Sequence, residues 1–269
     1  MISVICVFND KRILDSYLVR SLPAARDNYE LVLVDNTEGR FSSAAAAFNY
    51  GSYGAKGDYL LFVHQDLTFG SGFSFSRLND LLCVVPSYSV IGAAGRLNED
   101  GVITSMTHGE PPSPAGTIRS KTLTEVQTVD EVMIGVRREM FEEIMFDPLV
   151  CNGWHLYGVD FCLSAGERDY KSFVLPMDLH HRSPGYSMDD SFYEILKKVV
   201  SKHKNNYKTI YSTNGIWPTS VFKLKWMHNT EMFRNNVREI AMKTQFNRKI
   251  LAIRRRRFQK MRSDFGYEN

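Results

Sequence analysis

The N-terminal third alternates between two kinds of hydrophobic pattern. Ile2–Phe8 (ISVICVF) is an unbroken apolar, β-branched run, the pattern of a strand covered on both faces. Residues 11–22 follow with Ile13, Leu14, Leu18 and Leu22 at helical spacing, and Pro23 closes the segment. ELVLV (30–34) predicts a second strand ending on Asp35-Asn36. Residues 41–54, with four consecutive alanines, predict a second helix of high propensity and small residues. A third strand is expected over 58–63, ending at His64-Gln65-Asp66.

Strands alternating with helices predict parallel βαβ units and an α/β fold. In such sheets ligands bind beyond the carboxyl ends of the strands. All three strands end in polar residues: Asn9-Asp10, Asp35-Asn36 and His64-Gln65-Asp66. A single polar end is commonplace, because helix N-caps favour Asp and Asn. Three on one rim point to a nucleotide or metal site.

Further strands are expected over 87–94, 126–136 and 171–176, with loop or hairpin over the Gly-, Pro- and Ser-rich segment 97–116 and a short helix over 138–144. A loop carrying Trp154, His155 and Tyr157 precedes a helix that starts near Asp160. The 171–176 strand leads into Asp178-Leu179-His180-His181. No repeat or low-complexity linker interrupts the first 190 residues. This predicts one domain over 1–200 and a C-terminal helical extension over 201–269.

Charge changes the picture only at the end of the chain. The net charge is +3, yet residues 246–269 carry eight Lys/Arg against two Asp/Glu, leaving the remainder slightly acidic. Such a body is a poor match for a nucleic-acid backbone. In FNRKILAIRRRRFQKMR, apolar positions at helical spacing with arginines between them predict a basic amphipathic helix over 246–262. Contact with anionic lipid, recruitment of a partner, a homodimer contact and a solvated terminal helix all remain open for it. No apolar run approaches the roughly 20 residues that span a bilayer, and no basic leader precedes the first strand. Cys6, Cys83, Cys151 and Cys162 lack metal-site spacing. The expectation is a cytoplasmic protein with reduced thiols, peripheral at the inner face of the plasma membrane if the tail docks there.

The ordered motifs, VFND, VLVDN and GDYLLFVHQD, then VDEVMIGVRREMFEEIMFDP, WHLYGVDFCLSA and KSFVLPMDLHH, resemble the GT-A-fold glycosyltransferases, in particular the inverting family 2 type of bacterial capsule and lipopolysaccharide synthesis. The resemblance covers roughly residues 1–200. It implies a Rossmann-like, mostly parallel central sheet flanked by helices. It also implies a nucleotide-sugar donor, UDP-linked by default, and a glycan or lipid-linked acceptor. Val7, Phe8, Asn9, Asp10, Asp35 and Asn36 match positions that hold the donor nucleotide, with His64 and Gln65 beside the diphosphate. Asp66 matches the last carboxylate of the family's Asp-x-Asp metal motif, whereas His64 stands where that motif has its first Asp. A late histidine, His180 or His181, would complete the metal site. Asp160 matches the catalytic base, and Trp154, His155 and Tyr157 the acceptor platform.

Independently of resemblance, a nucleoside diphosphate gains negative charge as it leaves, and a hard divalent cation offsets that charge. Mg²⁺ or Mn²⁺ suits the oxygen ligands, and Mn²⁺ better tolerates an imidazole. Asp130 is a further candidate for contact with the donor sugar. A nucleotidyltransferase would open with a Gly-rich phosphate loop after the first strand, and VFNDKRILD contains no glycine. A non-catalytic nucleotide-sugar-binding module on the same fold is the remaining alternative.

Overall fold

The computed structural model describes residues 1–23, 29–184, 188–220, 222–227 and 229–230. The expected basic helix at 246–262 lies outside them. The first half is built from β1 (Ile2–Phe8), α1 (Lys11–Leu14), β2 (Tyr29–Asp35), α2 (Ala44–Tyr53), β3 (Tyr59–His64), β4 (Leu67–Phe69), α3 (Phe75–Val84), β5 (Ser89–Gly92) and β6 (Ala94–Leu97). After α1 the helix widens into a π-turn over Asp15–Val19. Short strands β7 (Gly101–Thr104), β8 (Met106–His108), β9 (Ser113–Pro114), β10 (Ile118–Arg119) and β11 (Thr124–Val126) follow. The remainder comprises β12 (Met133–Arg137), α4 (Arg138–Ile144), α5 (Tyr157–Gly166), β13 (Lys171–Val174), β14 (Leu179–His181), α6 (Asp190–His203) and the hairpin β15 (Thr209–Ser212) to β16 (Gly215–Pro218).

Seven strands form the central sheet, in the order β11-β13-β5-β12-β3-β1-β2. β2, β1, β3, β5 and β13 run one way, and β12 and β11 run against them. The expected mostly parallel sheet is therefore present. β12 reverses beside β3, so its amino end, rather than its carboxyl end, meets His64. The backbone N–H of His64 donates to the Val132 carbonyl at 3.1 Å.

Alternation along each strand explains why these runs are apolar throughout. Ile5, Leu60, Phe62, Ile134 and Val136 face one core, while Val4, Cys6, Leu61, Val63 and Met133 face the other. Both faces are covered, as a parallel sheet requires. Phe62 is fully buried, with Phe141 and Phe146 ring centroids at 4.7 and 5.0 Å. Burying each such ring contributes about 1.5–3 kcal/mol. The small residues of α2 let it approach the sheet closely: a Cβ on Gly51 would come within 2.7 Å of Ile5 and 2.8 Å of Val34.

Two expectations change here. The apolar stretch 126–136 is not one strand but β11, a rim segment and β12. Gln127 and Thr128 turn away from the sheet, and their side chains bond the β15 backbone carbonyls of Thr209 and Tyr211 at 3.2 and 2.7 Å. The expected boundary at residue 200 falls inside α6. His203, Ile210 and Trp217 beyond it are all buried, the latter two in the core shared with α5. Past residue 200 the chain first completes α6 and then forms a hairpin. All four cysteines are free, and only Cys83 is exposed.

Candidate active site

The carboxyl ends of β1 and β3 are joined by Gln65. Its Oε1 accepts from the backbone N–H groups of Asn9 and Asp10, each at 3.0 Å, and its Nε2 donates to Asn9 Oδ1 at 2.6 Å. The turn after β3 brings the chain back along β4, and β14 pairs antiparallel with β4, setting His181 opposite Leu67. Side chains alternate along β14. His181 therefore turns to Asp66, its Nε2 lying 3.1 Å from Asp66 Oδ1. His180 turns the other way, its Nδ1 3.0 Å from Thr107 Oγ1. Of the two adjacent histidines, His181 joins the cluster.

His64, Asp66 and His181 bring one ligand atom each to within 4.8 Å of one another. Burial, then the neighbouring charge of His181, lowers His64 to about 4. Burial alone would raise Asp66, but the hydrogen bond and charge of His181, with His64 beyond, bring it down to about 2. At neutral pH His64 is therefore an uncharged imidazole and Asp66 an anion, the protonation states a cation requires of its ligands. Two imidazoles and one carboxylate fit Mn²⁺, and the Ser183 N–H orients the other Asp66 oxygen at 3.2 Å.

Tyr157 supports His64 from behind. Its hydroxyl donates to the Glu131 carbonyl at 3.1 Å and lies 3.3 Å from His64 Nε2. With that hydrogen committed to Glu131, the tyrosine oxygen accepts from Nε2–H and leaves the His64 Nδ1 lone pair free. Tyr157 opens α5 directly after Leu156, which holds the left-handed conformation at φ 64°. The chain thus turns sharply into the helix and drives the tyrosine beneath the site.

A cavity of about 180 Å³ lies over this group, lined by Val7, Phe8, Asn9, Ala44, Phe48, His64, Gln65, Asp66, Trp154 and Tyr157. Most of the expected donor-side residues meet there, with Trp154 44% exposed and free to face a sugar. Others do not. Asp10 caps α1, accepting from the Arg12 N–H at 2.9 Å, a bond that lowers its carboxyl. Asp35 turns back on Thr37, whose backbone and hydroxyl bonds likewise hold it low. Asn36 is buried and spends its amide on both backbone groups of Phe41. His155 packs edge-on against Phe192, 5.8 Å between centroids, rather than entering the cavity.

Asp160, the expected base, lies outside the residues that line this cavity. It is 1% exposed, and its two oxygens accept from Lys202 Nζ at 2.8 Å and His203 Nε2 at 2.9 Å. Lys202 also reaches Asp147, and His203 also reaches Glu167. This network ties α5 to α6 and to the turn after α4. A carboxylate so enclosed has no face for an acceptor hydroxyl. Arg138 lies away from the rim, its Nε and Nη2 both donating to the Gly57 carbonyl.

The sequence reading missed Glu131. It stands between Asp130 and Val132 on the His64 side of β12, and its Oε1 accepts from the Gly158 N–H at 2.9 Å. A Cβ on Gly158 would come within 2.9 Å of Glu131 Cγ, so the glycine makes room for this side chain against the first turn of α5. Burial pushes the Glu131 carboxyl up to about 8. Asp130, by contrast, accepts from the Val132 N–H and the Thr213 hydroxyl. The adjacent acids in TVDEV were a visible signal, obscured by reading the segment as continuous strand.

No family model matches the chain. A protein named for its locus, ATP synthase subunits region ORF 6 of Fuscovulum blasticum, is 23% identical over 184 residues, 66% of this chain and 72% of that protein. Among solved structures, GalNAc-T7 with UDP, GalNAc and Mn²⁺ superposes with a TM-score of 0.54 at 13% identity, over 74% of this chain and 47% of that one. Staphylococcus aureus TarS 1-349 with UDP-GlcNAc gives 0.53 at 16% identity, covering 75% and 66% of the two chains. The mannosyltransferase PcManGT of Pyrobaculum calidifontis with GDP-Man and Mn²⁺ gives 0.53 at 13%, covering 77% and 65%. The chain thus spans about half the length of GalNAc-T7 and just under two thirds of the others. The fold is that of the GT-A glycosyltransferases.

Proposed function

We propose that the protein is a metal-dependent, inverting glycosyltransferase. It would move a sugar from a nucleoside-diphosphate sugar, UDP-linked by default, to a hydroxyl of a glycan or lipid-linked acceptor in surface polysaccharide synthesis. The observation that carries this reading is the His64–Asp66–His181 group, of which His64 and Asp66 line the cavity at the ends of β1 and β3. The likeness to structures that hold UDP- or GDP-sugars and Mn²⁺ supports it.

The roles follow from position. Bound by His64, Asp66 and His181, a divalent cation supplies counter-charge for the departing diphosphate. Asn9 and Gln65 hold the rim on which the nucleotide rests, while Phe8 and Phe48 provide apolar walls. Trp154 offers its face to the sugar. Inversion requires a base on the side opposite the leaving group. Neither Asp160, enclosed by Lys202 and His203, nor Glu131, buried against the Gly158 N–H and outside the residues that line the cavity, presents a free carboxylate to an acceptor hydroxyl in this conformation.

Donor hydrolysis with and without Mn²⁺, in the wild type and in Asp66→Ala, tests the reading; metal-dependent release of nucleotide that the variant lacks is the expected result. One observation favours a second reading, a non-catalytic nucleotide-sugar-binding module: the carboxylate matching the family's base is sealed off. Donor binding without turnover, across acceptors and pH, would select that reading.

A further inference from the structure

A second cavity, larger than the first, opens at the far ends of β4, which follows Asp66, and β14, which ends at His181. β4 (Leu67–Phe69) lies between Asp66 and Gly70, and β14 begins after Asp178 and ends at His181. The cavity measures about 470 Å³ and lies between the start of α3, the turn joining β10 to β11, and residues 176–178. At about 3.3 Å per residue, these strands place it roughly 10–13 Å from Asp66.

Its lining divides by chemistry. Phe73, Leu78 and Met177 form an apolar floor, and Arg77, Arg119 and Lys121 stand around it. Asp178 is the one carboxylate in the lining, 3.8 Å from Arg119. Among the described residues, the Arg77 and Lys121 side chains have no acidic partner. Three cations gathered around one cavity repel one another unless an anion joins them. A free inorganic anion would leave the floor wet, and a neutral lipid would leave the cations unanswered. The volume falls within the range of small-molecule sites.

We propose that this cavity holds the phosphate-bearing end of a lipid-linked acceptor. Its aliphatic chain would lie over Phe73, Leu78 and Met177, and its phosphate or diphosphate would lie against Arg77, Arg119 and Lys121. The proposal rests on the glycosyltransferase reading and selects the acceptor class for it. The acceptor's first sugar would bridge the distance along β4 and β14 to the metal group.

The test uses the full chain in EDTA, so that no cation at Asp66 captures a diphosphate. Farnesyl diphosphate, farnesol and inorganic pyrophosphate are titrated separately by calorimetry, below the concentration at which the lipids form micelles. Saturable binding of farnesyl diphosphate, at least 10-fold tighter than either fragment, is expected. In the double variant Arg77→Gln/Lys121→Gln it weakens at least 10-fold, while the thermal shift given by UDP with Mn²⁺ is unchanged. Absence of saturable binding, equal binding by the variant, or equal affinity for farnesol or pyrophosphate overturns the proposal. Mn²⁺-dependent hydrolysis of a nucleotide sugar is measured on the same preparation. If hydrolysis persists while farnesyl diphosphate fails to bind, only the acceptor proposal falls. If binding persists without hydrolysis, the transferase reading falls instead.

Discussion

Replacing Asp160 by Ala separates a structural carboxylate from a chemical one. In the native fold this side chain accepts two charge-assisted bonds, from Lys202 at 2.8 Å and His203 at 2.9 Å, at a position 1% exposed. Removing one partner of a buried ionic group typically costs about 3–5 kcal/mol, mostly because the opposite charges stay buried. Lys202 is partly exposed and keeps Asp147 at 3.1 Å, and His203 keeps Glu167 at 2.7 Å. Those remaining partners place the expected loss near the lower end, about 3 kcal/mol. For a domain of this size that corresponds to a fall in melting temperature of roughly 6–12 °C. Urea denaturation followed by circular dichroism reads the stability. At 15–20 °C, where the variant remains folded, its UDP–Mn²⁺ thermal shift and donor hydrolysis should match the wild type. A variant with wild-type stability and abolished turnover would refute the reasoning and return Asp160 to the chemistry.

Further expectations rest on the same geometry. Glu131 rises in the folded state from the ordinary 4.5 to about 8, so stability is full below pH 4.5 and is lost as pH rises towards 8. Glu131→Gln should remove that slope, gaining up to about 5 kcal/mol at pH 8 relative to pH 4 in urea titrations, the ceiling set by a rise from 4.5 to about 8 at about 1.4 kcal/mol per pH unit. Tyr157→Phe removes the acceptor for His64 Nε2–H and should weaken Mn²⁺ binding about 10–100-fold by calorimetry, because it frees the tautomer. Since His64 protonates only near 4, its contribution to Mn²⁺ affinity should persist at pH 5.5 and disappear as pH falls through about 4, read by Mn²⁺ titration across pH.

Much of the amino-terminal half was legible because its signals are local. Unbroken apolar runs marked β1, β2 and β3, and their polar ends marked the rim. The His64-Gln65-Asp66 triplet indicated the site because a buried strand rarely stops on three such side chains without reason. What could not be read depends on distant partners. Asp160 looks like the acid at a helix start, and only the return of α6, with Lys202 and His203, reveals its enclosure. The split between β11 and β12 was hidden because Gln127 and Thr128 are held by a hairpin more than eighty residues away. Asn36 has the composition of a ligand, but the Phe41 backbone takes both ends of its amide. The choice between His180 and His181 was open in sequence, although strand alternation guaranteed that only one of them could face Asp66.

The account depends on Asp66 and its two imidazoles holding a cation against a nucleoside diphosphate. Electron paramagnetic resonance of free Mn²⁺, titrated into the wild type and Asp66→Ala with and without UDP, measures this directly. One tight site per chain, tightened further by UDP and lost in a variant that still melts cooperatively, is the predicted result. Equal Mn²⁺ binding by the two proteins, or binding indifferent to UDP, would contradict it.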